Sequence, residues 1–271
     1  MDVYGLVGNP VGHSRSPVMH EAAYEELGLE ARYVTFEPHR GNLGAAIKGG
    51  SALGISGLNV TIPFKEAALE FVQADETADR IGALNTIDFS TEPPTGYNTD
   101  AAGGRRALEH HGVELSNQTA VVLGAGGAAR AISHALAEAG TDLHVANRTE
   151  SRAIDLAEAV GGTAHGLGDL ERVLFGADLV VNATSVGMES TESPVPATAL
   201  HEDLVVMDAV YTPLETRLLK DARAAGAETI DGAWMLLYQG VEAFEIWTGR
   251  TAPVDTMNAA LRSTLADDAS V

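Results

Sequence analysis

The sequence predicts an α/β fold made of two α/β domains, and three observations carry that reading. Short apolar runs rich in β-branched residues alternate with longer helical patterns, as they do where helices cover a mostly parallel sheet. A glycine-rich turn separates one such run from a helix in "TAVVLGAGGAARAISHALAEAG". Near residues 101–114, "AAGGRRALEHHGVE" reads as a helix leading from a first series of elements into a second. The plan is therefore a first domain over 1–101, a second over 102–232, and a cleft between them, a common place for ligands.

The elements justify that plan in order. "VYGLVG", "RYVTFEP" and "GISGLNVTI" read as strands. Between the first two, "SPVMHEAAYEELG" reads as a helix with Ser16 as its cap, Pro17 in its first turn and Gly28 past its end. "NVTIPFK" (59–65) reads as a strand turning into a helix, which puts Lys65 near a helix start. In the second series, the glycine turn and its helix end at Gly140, and "DLHVANR", "ADLVVNA", "DLVVMDAV" and "ETIDGA" read as further strands. "MLLYQGVEAFEIWTG" and "PVDTMNAALRSTLADD" read as the last two helices, within 233–271. No repeat of 20–50 residues interrupts the series.

Composition narrows the function classes. A formal net charge of −21 over 271 residues argues against nucleic acid and anionic membranes as partners. Lysine is nearly avoided, with only Lys48, Lys65 and Lys220, while Asp and Glu number 38. That imbalance favours adaptation to high salt, where mutual repulsion of carboxylates is screened within a few ångströms. The absence of cysteine excludes disulfides and thiolate chemistry. No apolar run approaches the ~18 residues of a membrane span, and the first residues do not read as a secretory signal, so a cytoplasmic protein is expected. His110 and His111 are adjacent and would point about 100° apart on a helix, so no metal site is read there.

The glycine turn gives Gly124-x-Gly126-x-x-Ala129 between a strand and a helix. Glycines there let backbone approach a pyrophosphate, whose charge is favoured at the helix N-terminus. The end of the next strand selects the cofactor. An NAD site places a carboxylate there for the ribose 2′-hydroxyl, whereas this chain has Asn147, Arg148 and Thr149, with Arg152 one turn on. A guanidinium binds a 2′-phosphate that a carboxylate would repel, so NADP is the expected cofactor.

Polar residues in the first series stand at element ends: Ser14 and Ser16 around a turn, then Asn85, Asn98, Thr99 and Asp100. Together "GNPVGHSRSPVMH", "NVTIPFK", "GALNT", "GYNTD", "GAGGAAR", "NRT", "NATSVGM", "DAVYTPLET" and "QGVEAFEIWTG" resemble the shikimate dehydrogenase family, in the same order, from about residue 5 to 250. The resemblance implies NADPH-dependent reduction of 3-dehydroshikimate to shikimate, a step toward chorismate and the aromatic amino acids. It implies Lys65 and Asp100 as the catalytic pair. Ser14, Ser16, Thr61, Asn85, Tyr211 and Gln239, with Lys65 and Asp100, would contact the substrate. Gly124, Ala125, Gly126, Gly127 and Ala128 would line the cofactor site with Asn147, Arg148, Thr149, Glu150, Ser151 and Arg152, and so would Ala209, Gly232 and Glu76. The first domain would then bind substrate, completed by the last helices carrying Gln239, and the second would be a Rossmann-like NADP-binding domain. The substrate is a small molecule, and a homodimer is compatible with the family. Glu21 stands where the family often has Asn, Ala101 where Gly is common and Leu84 where Val is usual; none removes a chemical group from the site.

The chemistry accounts for the residue types independently. Reducing a ketone adds hydride to carbon while negative charge builds on oxygen, and an ammonium nearby stabilises that charge and delivers the proton. A neighbouring carboxylate orients the ammonium. Arginine does not readily exchange its proton, so a chain that replaces lysine elsewhere keeps one here. Two other readings compete: a quinate/shikimate dehydrogenase of catabolism, working with NAD, and a sensor of shikimate-type ligands without turnover. The arginines speak against NAD, and the presence of both Lys65 and Asp100 speaks against a sensor.

Overall fold

The structure is a computed structural model that describes residues 1–268. The chain forms two compact units, one of Met1–Thr99 with the segment beginning at Gln239, the other of Asp100–Tyr238.

The first unit opens with β1 (Asp2–Val7), α1 (Ser16–Glu26), β2 (Ala31–Phe36), α2 (Leu43–Ala52) and β3 (Gly57–Val60). It continues with β4 (Gln73–Ala74), α3 (Glu76–Ile81), β5 (Thr86–Asp88) and β6 (Thr95–Tyr97). Its sheet has the order β2-β1-β3-β5-β6-β4. β1 runs parallel to β2 and β3, and β5 runs antiparallel to β3 and β6. Consequently the residues just after β1, β3 and β6 and just before β5 share one edge of the sheet. Phe64, Leu84 and Ile87 are buried in the core beneath that edge. Truncating Leu84 to Ala there would cost about 2–5 kcal/mol.

Two local expectations are corrected. Ser16 does not cap α1: the capping position is Arg15, and Ser16 is the first helical residue. Its backbone N–H is met by Ser14 Oγ at 3.2 Å, so the turn supplies from outside the helix what a cap would have given. Lys65 does not begin an α-helix. It lies in a turn after Pro63, followed only by a 3₁₀ segment, Ala67–Phe71, and its carbonyl accepts from Leu84 N–H at 2.9 Å. That bond ties the lysine to the strand-entry segment instead of a helical ladder.

α4 (Thr99–His110) carries the chain into the second unit. There follow β7 (Thr119–Leu123), α5 (Gly127–Glu138), β8 (Asp142–Asn147), α6 (Glu150–Val160), β9 (Thr163–Gly166) and α7 (Leu170–Leu174). The unit continues through β10 (Leu179–Asn182), β11 (Val205–Asp208), α8 (Arg217–Ala224) and β12 (Glu228–Ile230). The strand order is β12-β11-β10-β7-β8-β9 and all pairings are parallel. Numbered within the unit, this is the 3-2-1-4-5-6 order of the dinucleotide-binding fold, with its switch point beside β7. β7 and β10 are nearly solvent-free, as a sheet covered on both faces requires. α9 (Gly232–Thr248) returns to the first unit, where α10 (Val254–Asp268) packs on α1.

Among the described residues no helix is long and apolar enough to cross a membrane. No group of three or more potential ligand side chains among them could hold a metal ion.

Candidate functional site

The shared sheet edge of the first unit gathers the motif residues. Ser14 and Ser16 follow β1, Thr61 and Lys65 follow β3, Asn85 precedes β5, and Asn98 and Thr99 follow β6. Backbone bonds lock these segments together. Thr61 N–H donates to Val7 O at 2.9 Å, Asn9 N–H to Ile62 O at 3.1 Å, and Val60 N–H to Asn85 O at 2.8 Å. Gly8 is required by this closeness, because a Cβ there would come within 2.4 Å of Thr61 Cγ2.

Beneath the edge runs a buried polar network. Tyr33 OH donates to Asn59 Oδ1 at 2.7 Å, and Asn59 Nδ2 donates to Thr86 Oγ1 at 3.0 Å and Asn85 O at 3.2 Å. Asn85 Oδ1 accepts from Thr99 N–H at 2.6 Å and lies 3.1 Å from the Thr99 hydroxyl. Asn98 Nδ2 donates to Ala83 O at 2.9 Å. These bonds fix amide orientations, since an N-for-O flip would set donor against donor at Asn85 and acceptor against acceptor at Asn59 and Asn98. Thr99 leads directly to Asp100, a buried residue in the first turn of α4 and the first residue of the other unit. Lys65 is half-buried.

In the second unit, Gly124 ends β7 with φ +110°, and a Cβ there would approach Ala183 O to 3.0 Å. The fold itself therefore demands that glycine. Gly126 and Gly127 differ: a Cβ at either would meet no protein atom within 4 Å, so packing does not require them. Gly126 holds the capping position of α5 without a side-chain cap, leaving N–H groups suited to a phosphate. Ala125 and Ala128 flank it half-buried, and Ala129 is fully buried against the sheet. After β8, Asn147 Nδ2 donates to Thr149 O at 2.9 Å and shapes the turn into α6. Arg148, Thr149, Glu150, Ser151 and Arg152 are exposed, and neither arginine has an ion pair or side-chain hydrogen bond among the described residues. Other arginines are spent on carboxylates, as in Arg217–Asp221 and Arg105–Glu109. The donor set thus fits an NADP with its 2′-phosphate.

The end of β11 is braced from below. Asp208, fully buried, accepts from Thr216 Oγ1 at 2.7 Å, Asn182 Nδ2 at 2.9 Å and Val210 N–H at 3.0 Å. Burial pushes its carboxyl above the usual carboxylate range, and the three hydrogen bonds oppose that shift. The brace positions Ala209 and the half-buried Tyr211 that follow. Gly232 is demanded by the same backbone, since a Cβ would come within 2.6 Å of Ala209 O.

Comparison with known proteins decides the family. The pattern described as the shikimate dehydrogenase substrate binding domain matches residues 6–87, shikimate / quinate 5-dehydrogenase matches 106–202, and the shikimate 5'-dehydrogenase C-terminal domain matches 232–262. The shikimate dehydrogenase (NADP(+)) of Natronomonas pharaonis is 66% identical over 266 residues, covering 98% of this chain and all of that protein. The chain belongs to the shikimate dehydrogenase family. A crystal structure of a shikimate dehydrogenase in complex with NADP+ superposes with a TM-score of 0.94 at 42% identity, covering 98% of this chain and 96% of that one. The Thermus thermophilus enzyme in complex with NADP(H) and shikimate gives 0.91 at 41% identity, covering 98% and 100%.

Within this shikimate dehydrogenase fold, the sequence-derived residues fall in both units. Ser14, Ser16, Thr61, Lys65, Asn85, Glu76 and Gln239 belong to the first, and Asp100, Tyr211 and the glycine-turn and arginine residues to the second. Glu76 is exposed at the start of α3, 3.7 Å from Arg80. Sequence reasoning missed Tyr33, Asn59, Thr86, Asn182 and Asp208. The available signal was a polar residue inside an otherwise apolar strand, as with the Asn of "GLNV" and the Asp of "VVMD". Glu21, the departure noted above, accepts Tyr33 N–H at 2.6 Å and pairs with Arg32, so it serves the edge of β2.

Proposed function

We propose that this protein catalyses the reversible NADPH-dependent reduction of 3-dehydroshikimate to shikimate, as a cytoplasmic enzyme on the route to chorismate and the aromatic amino acids. The observation that carries the reading is the sheet edge that collects Ser14, Ser16, Thr61, Lys65 and Asn85 on one rigid frame. Serine hydroxyls donate to the substrate carboxylate, and Thr61, Asn85, Tyr211 and Gln239 hold its hydroxyls. When bound, NADPH supplies the hydride. The Lys65 ammonium stabilises the negative charge that builds on the carbonyl oxygen and gives that oxygen its proton. Asp100 orients the ammonium, and in oxidation the neutral Lys65 amine takes the proton back. The backbone from Gly124 to Ala128 cradles the pyrophosphate, and Arg148 and Arg152 bind the 2′-phosphate. Asn147, Thr149, Glu150, Ser151, Ala209, Gly232 and Glu76 complete the cofactor's surroundings. The acidic, lysine-poor surface matches relatives from halophilic organisms. A homodimer is the assembly we expect, which light scattering at molar KCl checks.

The test pairs purified protein with shikimate or quinate and with NADP or NAD, followed at the nicotinamide absorbance band. Turnover should be fastest for shikimate with NADP. Shikimate binding without turnover in any pairing would replace the enzyme by a sensor, and preference for quinate with NAD would replace it by a catabolic dehydrogenase.

A further inference from the structure

Tyr33 lies in β2, in "ARYVTF", outside every motif that pointed to the site. It is 4% exposed, and its hydroxyl hydrogen goes to Asn59 Oδ1 at 2.7 Å. Asn59 in turn spends its amide hydrogens on Thr86 and on the carbonyl of Asn85. The ring stacks on the fully buried His20, centroids 4.5 Å apart and planes 6° from parallel. Both His20 ring nitrogens lack a hydrogen-bond partner, so His20 serves Tyr33 as a flat platform and competes for none of its bonds. One phenol thus joins β2 to the asparagine segment before β5, through Asn59 of β3.

We infer that Tyr33 is a positioning residue of the substrate site: through Asn59 it holds Asn85 in place to meet the substrate's ring hydroxyls. The inference rests on the reading of Asn85 as a substrate contact. A side chain held in one orientation before binding spares the ligand that ordering, so the effect belongs in substrate affinity. The hydride and proton steps use Lys65, which Tyr33 does not hold, so kcat should be nearly untouched.

Tyr33→Phe keeps the stacked ring and removes only the hydroxyl. Its KM for shikimate should rise about fivefold to tenfold, the scale of one hydrogen bond. KM for NADP should stay within twofold and kcat within threefold. Because Tyr33 acts through Asn85, the effects of Tyr33→Phe and Asn85→Ala should not multiply: the double variant should match Asn85→Ala within about twofold. A purely structural phenol would lower the melting temperature with shikimate KM unchanged, or give multiplying effects, and either result overturns the inference. Should Tyr33→Phe fail to fold, wild-type protein carrying ¹³Cζ-tyrosine decides. The Tyr33 resonance should shift on saturation with shikimate and not with NADP, and a resonance indifferent to shikimate overturns the role. Wild-type protein that neither binds nor turns over shikimate would instead defeat the functional reading, and the inference with it.

Discussion

Asn85 is 2% exposed, and its side-chain oxygen is already met by the Thr99 N–H at 2.6 Å and the Thr99 hydroxyl at 3.1 Å. Arg148, at the end of β8, is exposed and bonds nothing among the described residues. The contrast holds across the two units. The substrate edge is a saturated network, in which amide and hydroxyl orientations are settled before any ligand arrives. The nucleotide turn is the reverse, with uncapped backbone at Gly126 and glycines whose missing side chains would have touched no protein atom. On the proposed function, the rigid side chains of the edge would tell a small polyhydroxylated acid from similar molecules, and backbone N–H groups and guanidinium ions would meet the phosphates of a dinucleotide.

The largest way to break the contrast is Lys65→Ala. With the network intact, kcat should fall roughly 10²–10⁴-fold while shikimate KM changes far less, as initial rates will show. Arg148→Ala comes next. It should weaken NADP by about 1.5–3 kcal/mol, the scale of a hydrogen bond to a charged group, and leave NAD nearly unchanged in fluorescence titrations. Gly124→Ala sharpens the comparison, because that glycine is demanded by φ and by Ala183 O. It should destabilise the fold by about 1–3 kcal/mol in denaturant melts and weaken NADP and NAD alike. The smallest effect concerns His20, whose pKa burial lowers to about 3. The unfolded chain takes up this proton near pH 6.5, and the folded one refuses it until about pH 3. This contribution is therefore whole above pH 6.5 and is lost as pH falls through that window. At pH 5 wild type should have lost up to about 2 kcal/mol relative to His20→Phe, read from paired melts at pH 7.5 and 5.

The same contrast explains what the sequence disclosed. The strand-turn-helix of "LGAGGAAR" was legible because its glycines and flanking apolar runs are local, and the arginines of "NRTESR" were conspicuous in an acidic chain. The parallel alternation also pointed correctly to two α/β sheets. Tyr33, Asn59 and Thr86 were not legible, because their meaning lies in partners 26 or 27 positions away. Strand pairing creates such contacts, and no local pattern records them. Ser16 and Lys65 were located by motif, but their local settings were misjudged. A serine before Pro17 imitates a cap, and "PFKEAALEF" imitates a helix start although the chain makes only a 3₁₀ segment there.

If the proposed roles hold, the two sets of residues act separably: the sheet edge governs substrate and proton, and the nucleotide turn governs cofactor. Crossed titration calorimetry tests it most directly, measuring shikimate and NADP binding to both Lys65→Ala and Arg148→Ala. The expected result is NADP affinity within threefold of wild type for Lys65→Ala, and shikimate affinity within threefold for Arg148→Ala. A tenfold loss of NADP affinity in Lys65→Ala, or of shikimate affinity in Arg148→Ala, would contradict the claim.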